Sequence, residues 1–359
     1  MKFVDTLIYA GWVVPVEPAG VIYEQHAVAI HEGKIVAILP AEEAVSQYSG
    51  VLTYRLSSHA LMPGLINAHT HTPMTLLRGY ADDMPLMSWL NDRIWPAEKA
   101  WANQTFVEDG SRLAIAEMLL SGTTCFNDMY FYPETTAQIA AEMGVRACIG
   151  LPVFDFPTIW AQSTDEYLSK GAEVYETYRS QSLVNTLIAP HAPYTLSDDS
   201  LSRVLGVAED TGQRVHMHVH ETADEVNDAE KNNKERPIAR LERIGLFSVD
   251  FLAVHMTQLT EAEIEHLVKR GIHVLHCPES NLKLASGFCP VQKLLDSDVN
   301  VALGTDGVAC NNDLDMFGEM HTAALLAKGV SQDATAVNAA QALQMATLNG
   351  ARALGIAQE

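Results

Sequence analysis

Two histidines one residue apart, His69 and His71, close the stretch Leu61-Met-Pro-Gly-Leu-Ile-Asn-Ala-His-Thr-His71. Side chains two apart on a strand project to the same face, so these imidazoles can meet one metal ion. A His-x-His pair carries little weight alone, and its meaning depends on partners elsewhere in the chain. Four later segments offer them. Leu187-Ile-Ala-Pro-His191 and Phe251-Leu-Ala-Val-His255 each end in histidine, and Val301-Ala-Leu-Gly-Thr-Asp306 ends in a carboxylate. Arg214-Val-His-Met-His-Val-His-Glu221 carries His216, His218 and His220 on one alternating face and then Glu221. Three imidazoles and a carboxylate, with water completing the shell, suit Zn²⁺ in a site that keeps an open position. Such a metal lowers the pKa of bound water to roughly 7 and supplies hydroxide at neutral pH. Glu221 is placed to manage protons, and His255 to hold the attacking oxygen or an oxyanion. Spacing alone does not choose among His216, His218 and His220.

These residues need elements that bring them to one place. From residue 60 onward, β-rich runs at 61–68, 123–128, 145–153, 184–190, 213–219, 251–256, 272–276 and 299–305 alternate with helical patterns. The helices include Asp109 to Leu120, Ser197 to Glu209 with Ser-Asp-Asp capping chemistry, and a segment from Thr260 to Gly271 with a capping box and terminal glycine. Eight strands, each followed by a crossover, predict a (β/α)8 barrel of the TIM type, whose chemistry sits at the C-terminal strand ends. Histidines or carboxylates end five of those eight runs, which chance placement of loop histidines does not explain. Residues 1–58 read instead as a small β-rich module, with strands near 4–10, 27–30 and 34–39, and residues 59–359 as the catalytic barrel.

Composition sets the outer limits. Hydrophobic residues make up 48% and charged residues 19%, enough to bury a large core. With 23 basic against 45 acidic residues the net charge is -22, which repels phosphate backbones and argues against a nucleic-acid polymer as partner. A small nucleoside is not excluded. Five scattered cysteines without a CxxC pair predict reduced thiols and a cytoplasmic setting, and no apolar run reaches membrane-spanning length.

The motifs MPGLINAHTH, HVHETADE, AVHMTQLTEAEI, HCPESNLKLASG and LGTDGVACNNDLDMF together resemble the amidohydrolase superfamily. Within it they look most like deaminases of 5′-methylthioadenosine and S-adenosylhomocysteine. The resemblance implies metal ligands His69, His71, His218 and Asp306, with Glu221, His255 and Asp306 catalytic. Trp95-Pro-Ala-Glu-Lys99 is similar to a family stretch whose glutamate binds ribose, which implies that role for Glu98, and Pro190-His191-Ala-Pro-Tyr194 implies a nucleoside contact for His191. Two-metal members carry a bridging lysine at the end of strand four; Leu187 to Tyr194 has none, so one divalent metal, Zn²⁺, is expected. The expected reaction is hydrolysis of the 6-amino group of an adenosine-type nucleoside to the inosine-type product and ammonia. Guanine, cytosine and pterin deaminases and triazine chlorohydrolases are the alternatives, and a noncatalytic metal-binding barrel is disfavoured by Glu221.

Other histidines have simpler readings. His216 is expected deeper in the barrel and His276 in a supporting position. Trp89, Trp95 and Trp101, with Met84 and Met87, are expected to pack, or to cover an apolar 5′ substituent. Asp82, Asp83 and Asp92 read as solvent-facing charges. Two departures from the resemblance stand out. Relatives usually continue past Leu354-Gly-Ile-Ala-Gln-Glu359 into strands that complete the N-terminal module, which is therefore expected to be incomplete. Gly150 to Thr158 lacks the arginines with which some relatives hold an amino-acid tail, which favours methylthioadenosine or adenosine. A homo-oligomer is compatible with the sequence.

Overall fold

The computed structural model describes residues 1–358. They divide into two compact units, Leu65–Gly355 and Met1–Gly64 with the residues from Ile356 onward.

The smaller unit is a four-stranded sheet of β1 (Lys2–Val13), β2 (Tyr23–His31), β3 (Lys34–Pro40) and β4 (Tyr48–Leu61), in the order β3-β2-β1-β4. Val4, Leu7, Tyr9, Ala27, Ala29 and Ala44 form its core. The sequence reading finds the first three strands and misses β4. That strand pairs parallel to β1 yet has no buried residue, so it lacks the apolar alternation by which a strand is recognised.

The larger unit is a ring of eight parallel strands: β5 (Leu65–Thr70), β6 (Thr123–Met129), β7 (Arg146–Val153), β8 (Val184–Pro190), β9 (Val215–Val219), β10 (Phe251–His255), β11 (His273–His276) and β12 (Val301–Leu303). All eight coincide with expected runs to within a few residues. They are legible because both faces of a barrel strand are covered, which demands continuous apolar sequence. The largest offset is at β5, which begins at Leu65 because Pro63-Gly64 interrupts pairing. Closure occurs beyond β12, where Thr70 and Asp306 form a bridge and the Asp306 N–H donates to the His69 carbonyl at 2.9 Å. The seam is tight: a Cβ on Gly304 would lie 2.6 Å from the His69 nitrogen and 2.8 Å from its oxygen.

Helix ends follow their capping chemistry. Ser197 caps Asp198–Thr211, and the Thr260–Glu263 box caps Glu261–Arg270, which stops at the left-handed Gly271. After β5, a helical stretch runs from Leu86 to Trp101 with a widened, π-type turn over Leu90–Ile94. Pro96 accounts for it: its ring excludes the carbonyl four residues back and it has no N–H to offer. Asp82 is exposed as expected, and its carboxylate also meets Lys283 at 2.6 Å. Among the described residues no helix is long and apolar enough to cross a membrane, and the five cysteines are all buried and form no disulfide.

Candidate metal centre and substrate cavity

One atom each from His69, His71, His218 and Asp306 lies within 4.8 Å of every other, the grouping that could hold a metal among the described residues. Asp306 Oδ1 is 3.3 Å from His69 Nε2 and 3.2 Å from His71 Nε2, and the Nε2 atoms of His69 and His218 are 3.2 Å apart. A tetrahedral shell with bonds of about 2.0–2.1 Å requires ligand atoms about 3.3 Å apart, so the donor set fits an ion of that size.

The far side of each ring fixes its orientation. His71 Nδ1 donates to the Met129 carbonyl, and His218 Nδ1 to the His191 carbonyl at 2.7 Å. A carbonyl only accepts, so in the neutral form of each ring the proton sits on Nδ1 and Nε2 is left with the lone pair that a metal requires. His69 Nδ1 lies 2.9 Å from Nε2 of His216, the histidine two residues before His218. Geometry thus separates the three histidines that spacing left open: His218 joins the cluster, His216 supports it from behind, and His220 turns toward the Gln258 carbonyl. Asp306 is held by the Ser280 hydroxyl at 2.6 Å and the Gly307 N–H at 2.8 Å.

Charge in this cluster is shared unevenly. Burial works against a carboxylate at Asp306, but hydrogen bonds from His69 and His71 hold it well below the usual range. Burial also opposes an imidazolium at His71, yet Asp306, the Met129 carbonyl and Asp128 raise its pKa to about 9. His69, wholly buried, is pushed down to about 4, mainly by desolvation. Asp128 belongs to this support: its Oδ1 accepts the Thr72 N–H at 2.6 Å and hydroxyl at 2.9 Å, fixing the chain just past His71.

Beside the cluster, Glu221 and His255 face each other. His255 Nε2 is 3.8 Å from Glu221 Oε2 and 3.9 Å from Asp306 Oδ2, while its Nδ1 lies 2.8 Å from Asn281 Oδ1. Burial and the Asp306 charge raise the Glu221 pKa to about 8, so its carboxyl holds a proton at neutral pH. Backbone strain gathers here: His220, His255, Met256 and Asp306 all adopt positive φ, a conformation that costs a non-glycine residue energy and concentrates at functional sites.

The cavity over these groups is mostly apolar. Leu86, Trp89, Leu90, Ile94 and Trp95 wall it from the helical stretch after β5, with Phe131 and Phe154 opposite. Trp101 instead lies outside, half exposed against Tyr80. Glu98, also lining the cavity, is raised to about 7 by burial, opposed by the nearby Tyr130 hydroxyl and His71. His191 stacks on Phe154 with centroids 4.8 Å apart and is kept neutral by burial, at about 3. Seven of the eight residues singled out in the sequence, namely His71, Glu98, His191, His218, Glu221, His255 and Asp306, line this one cavity; His69 lies just behind it. The supporting Asp128, Ser280 and Asn281 escaped sequence reasoning, although Ser280 and Asn281 sit within the HCPESN run that drew attention.

Comparison with known proteins agrees with the geometry. Residues 60–359 match the amidohydrolase family. The chain is 50% identical to a 5-methylthioadenosine/S-adenosylhomocysteine deaminase from Saccharophagus degradans, over 98% of this chain and 79% of that one. A zinc-bound adenosine deaminase structure from Xanthomonas campestris superposes with a TM-score of 0.97 at 53% identity, covering 99% of this chain and 81% of that one. A zinc complex of atrazine chlorohydrolase from Arthrobacter aurescens reaches 0.90 at 20% identity, covering 98% and 83%, and shares the fold.

Proposed function

The chain belongs to the amidohydrolase family, and from that premise we propose that it is a metal-dependent aminohydrolase releasing ammonia from an adenosine-type nucleoside. The substrate is 5′-methylthioadenosine, S-adenosylhomocysteine or adenosine, the product carries hypoxanthine, and the setting is the cytoplasm. The observation that carries this reading is the placement of the buried Glu221 carboxyl, 3.8 Å from His255 Nε2, beside four converging metal donors in an apolar cavity. The names of relatives up to 50% identical support the substrate class.

His69, His71, His218 and Asp306 would hold a single Zn²⁺. When bound, the ion serves as a Lewis acid that makes hydroxide available near neutral pH. The protein's own groups do the rest. Asp306 takes a proton from the attacking water. Glu221 delivers its proton to ring N1, which makes C6 electrophilic; on collapse it recovers a proton from the new C6 hydroxyl while Asp306 passes the water proton to the departing amine. His255, held by Asn281, hydrogen-bonds the oxygen that adds to C6. Glu98 accepts from the ribose hydroxyls, and the neutral His191 contacts the nucleoside.

A panel of adenosine, methylthioadenosine, S-adenosylhomocysteine, guanine, cytosine and a chlorotriazine, scored for ammonia or chloride, tests the proposal together with metal analysis. Turnover of the adenosine compounds and one zinc per chain is the expected result. Turnover restricted to guanine, cytosine or the triazine overturns the substrate assignment, and metal without any turnover overturns the enzymatic one.

A further inference from the structure

The sequence pattern Thr-x-x-Glu occurs at the start of two helices, and the two glutamates behave differently. At Thr260–Glu263 the box is conventional: Thr260 Oγ1 accepts the Glu263 N–H at 3.3 Å, and Glu263 Oε2 reaches back to the Thr260 N–H at 2.9 Å. At Thr222–Glu225, before the helix Ala223–Asn233, only the first half is made, with Thr222 Oγ1 accepting the Glu225 N–H at 3.2 Å. The Glu225 carboxylate passes over the Thr222 N–H altogether. Its Oε1 accepts the His220 N–H at 3.0 Å and its Oε2 the Glu221 N–H at 2.7 Å.

The diversion has a physical reason. His220 is left-handed, with φ 54°, which turns consecutive N–H groups toward a common point. Such a nest attracts a carboxyl oxygen, and the two backbone hydrogen bonds offset the strain while opposing the burial that raises the Glu225 pKa to about 7. The same segment is gripped from the opposite side. Thr257 donates its N–H to the His220 carbonyl at 2.9 Å, and its hydroxyl to the Glu221 carbonyl at 2.7 Å. The backbone on both flanks of Glu221 is thereby fixed, on the donor side by one carboxylate and on the acceptor side by one threonine.

We infer that Glu225 is a positioning residue for the reaction, a side chain taken from helix capping to hold the backbone of the acid–base Glu221. It touches neither metal nor reacting atoms. The inference rests on the role proposed for Glu221, and its test keeps the two separable.

Glu225→Gln leaves one oxygen to accept and sets an amide NH₂ against the second N–H. Because displacement of a reacting group by about 1 Å can cost 10²-fold, kcat on methylthioadenosine should fall roughly tenfold to a hundredfold. KM should stay within about threefold, and zinc per chain should be unchanged, since no ligand moves. Thr222→Ala removes only the helix cap, so it should lower the unfolding midpoint while leaving kcat within about twofold. The inference is overturned if Glu225→Gln retains kcat within twofold, or if Thr222→Ala loses as much kcat as Glu225→Gln. Should Glu225→Gln fail to fold, Thr257→Val reads the same backbone from its other side; lowered kcat with intact zinc supports the inference and unchanged kcat overturns it. Glu221→Gln is the reference. If that variant stays active, the acid–base assignment has failed; if it is inactive while Glu225→Gln is fully active, only the positioning inference has.

Discussion

Glu221 carries the sharpest consequence among the individual side chains. Its pKa is raised, so the protonated form persists up to about pH 8 and is lost above it. The proposed step consumes that proton at ring N1, so kcat/KM should fall as pH rises through the neighbourhood of 8, tracing an alkaline limb in a pH–rate profile. A profile flat to pH 10 would assign the proton to another group. Glu221→Gln should cost roughly 10²–10⁴-fold in turnover while zinc content is retained, because the carboxyl binds no metal in this arrangement. Glu98 makes a contrasting case. If it holds ribose hydroxyls, Glu98→Gln should raise KM for nucleosides by about tenfold, the cost of weakening a charged hydrogen bond, with a smaller effect on kcat. An equal loss in kcat would place Glu98 in the chemistry instead.

Those side chains are useful only because strand ends deliver them together, and the closing seam between β12 and β5 leaves no spare room. Adding a methyl at Gly304 drives it into the His69 backbone. Gly304→Ala should therefore destabilise the fold by about 1–3 kcal/mol and lower zinc per chain, since both His69 and Asp306 flank the contact. Denaturant titration and metal analysis read the two effects, and an unaffected zinc content would show that the seam and the ligands are independent. The elements most readable from sequence were those with one dominant cause. Buried barrel strands need unbroken apolar runs, and Ser197 and Thr260 announce helix starts through their own hydroxyls. β4 was unreadable because its ladder to β1 is made of backbone groups, which leave no trace in side-chain type. The widened turn before Pro96 and the support given by Asp128, Asn281 and Glu225 were hidden for a related reason. Each depends on where a polar atom points in space, and His71 meets Met129 across 58 residues of chain. Ligand types announce themselves in the sequence, whereas the partners that orient them do not.

Charge acts on the molecule as a whole, and its effect on ligand choice can be reasoned from two observations. The chain carries a net charge of -22, and among the described residues the cavity lining includes the carboxyl groups of Glu98, Glu221 and Asp306 but no lysine or arginine to receive a phosphate. A neutral nucleoside approaches such a surface without electrostatic cost. A nucleotide with the same base brings a 5′ phosphate of about two negative charges against the field, and the repulsion slows association as well as weakening binding. Adenosine 5′-monophosphate should thus be turned over with kcat/KM at least roughly tenfold below adenosine at low ionic strength. Screening supplies the discriminating measurement. The Debye length shrinks from about 10 Å at 0.1 M salt to about 3 Å at 1 M, so the share of discrimination due to the distant surface charge should shrink as salt is added. Whatever survives at high salt belongs to contacts inside the cavity, where buried charges are screened much less. Rates for adenosine should barely respond to salt over the same range. If the two compounds differ by a constant factor at every ionic strength, the surface charge plays no part and the cavity wall alone rejects the phosphate. If the monophosphate is as good a substrate as adenosine, the acidic field does not select the ligand.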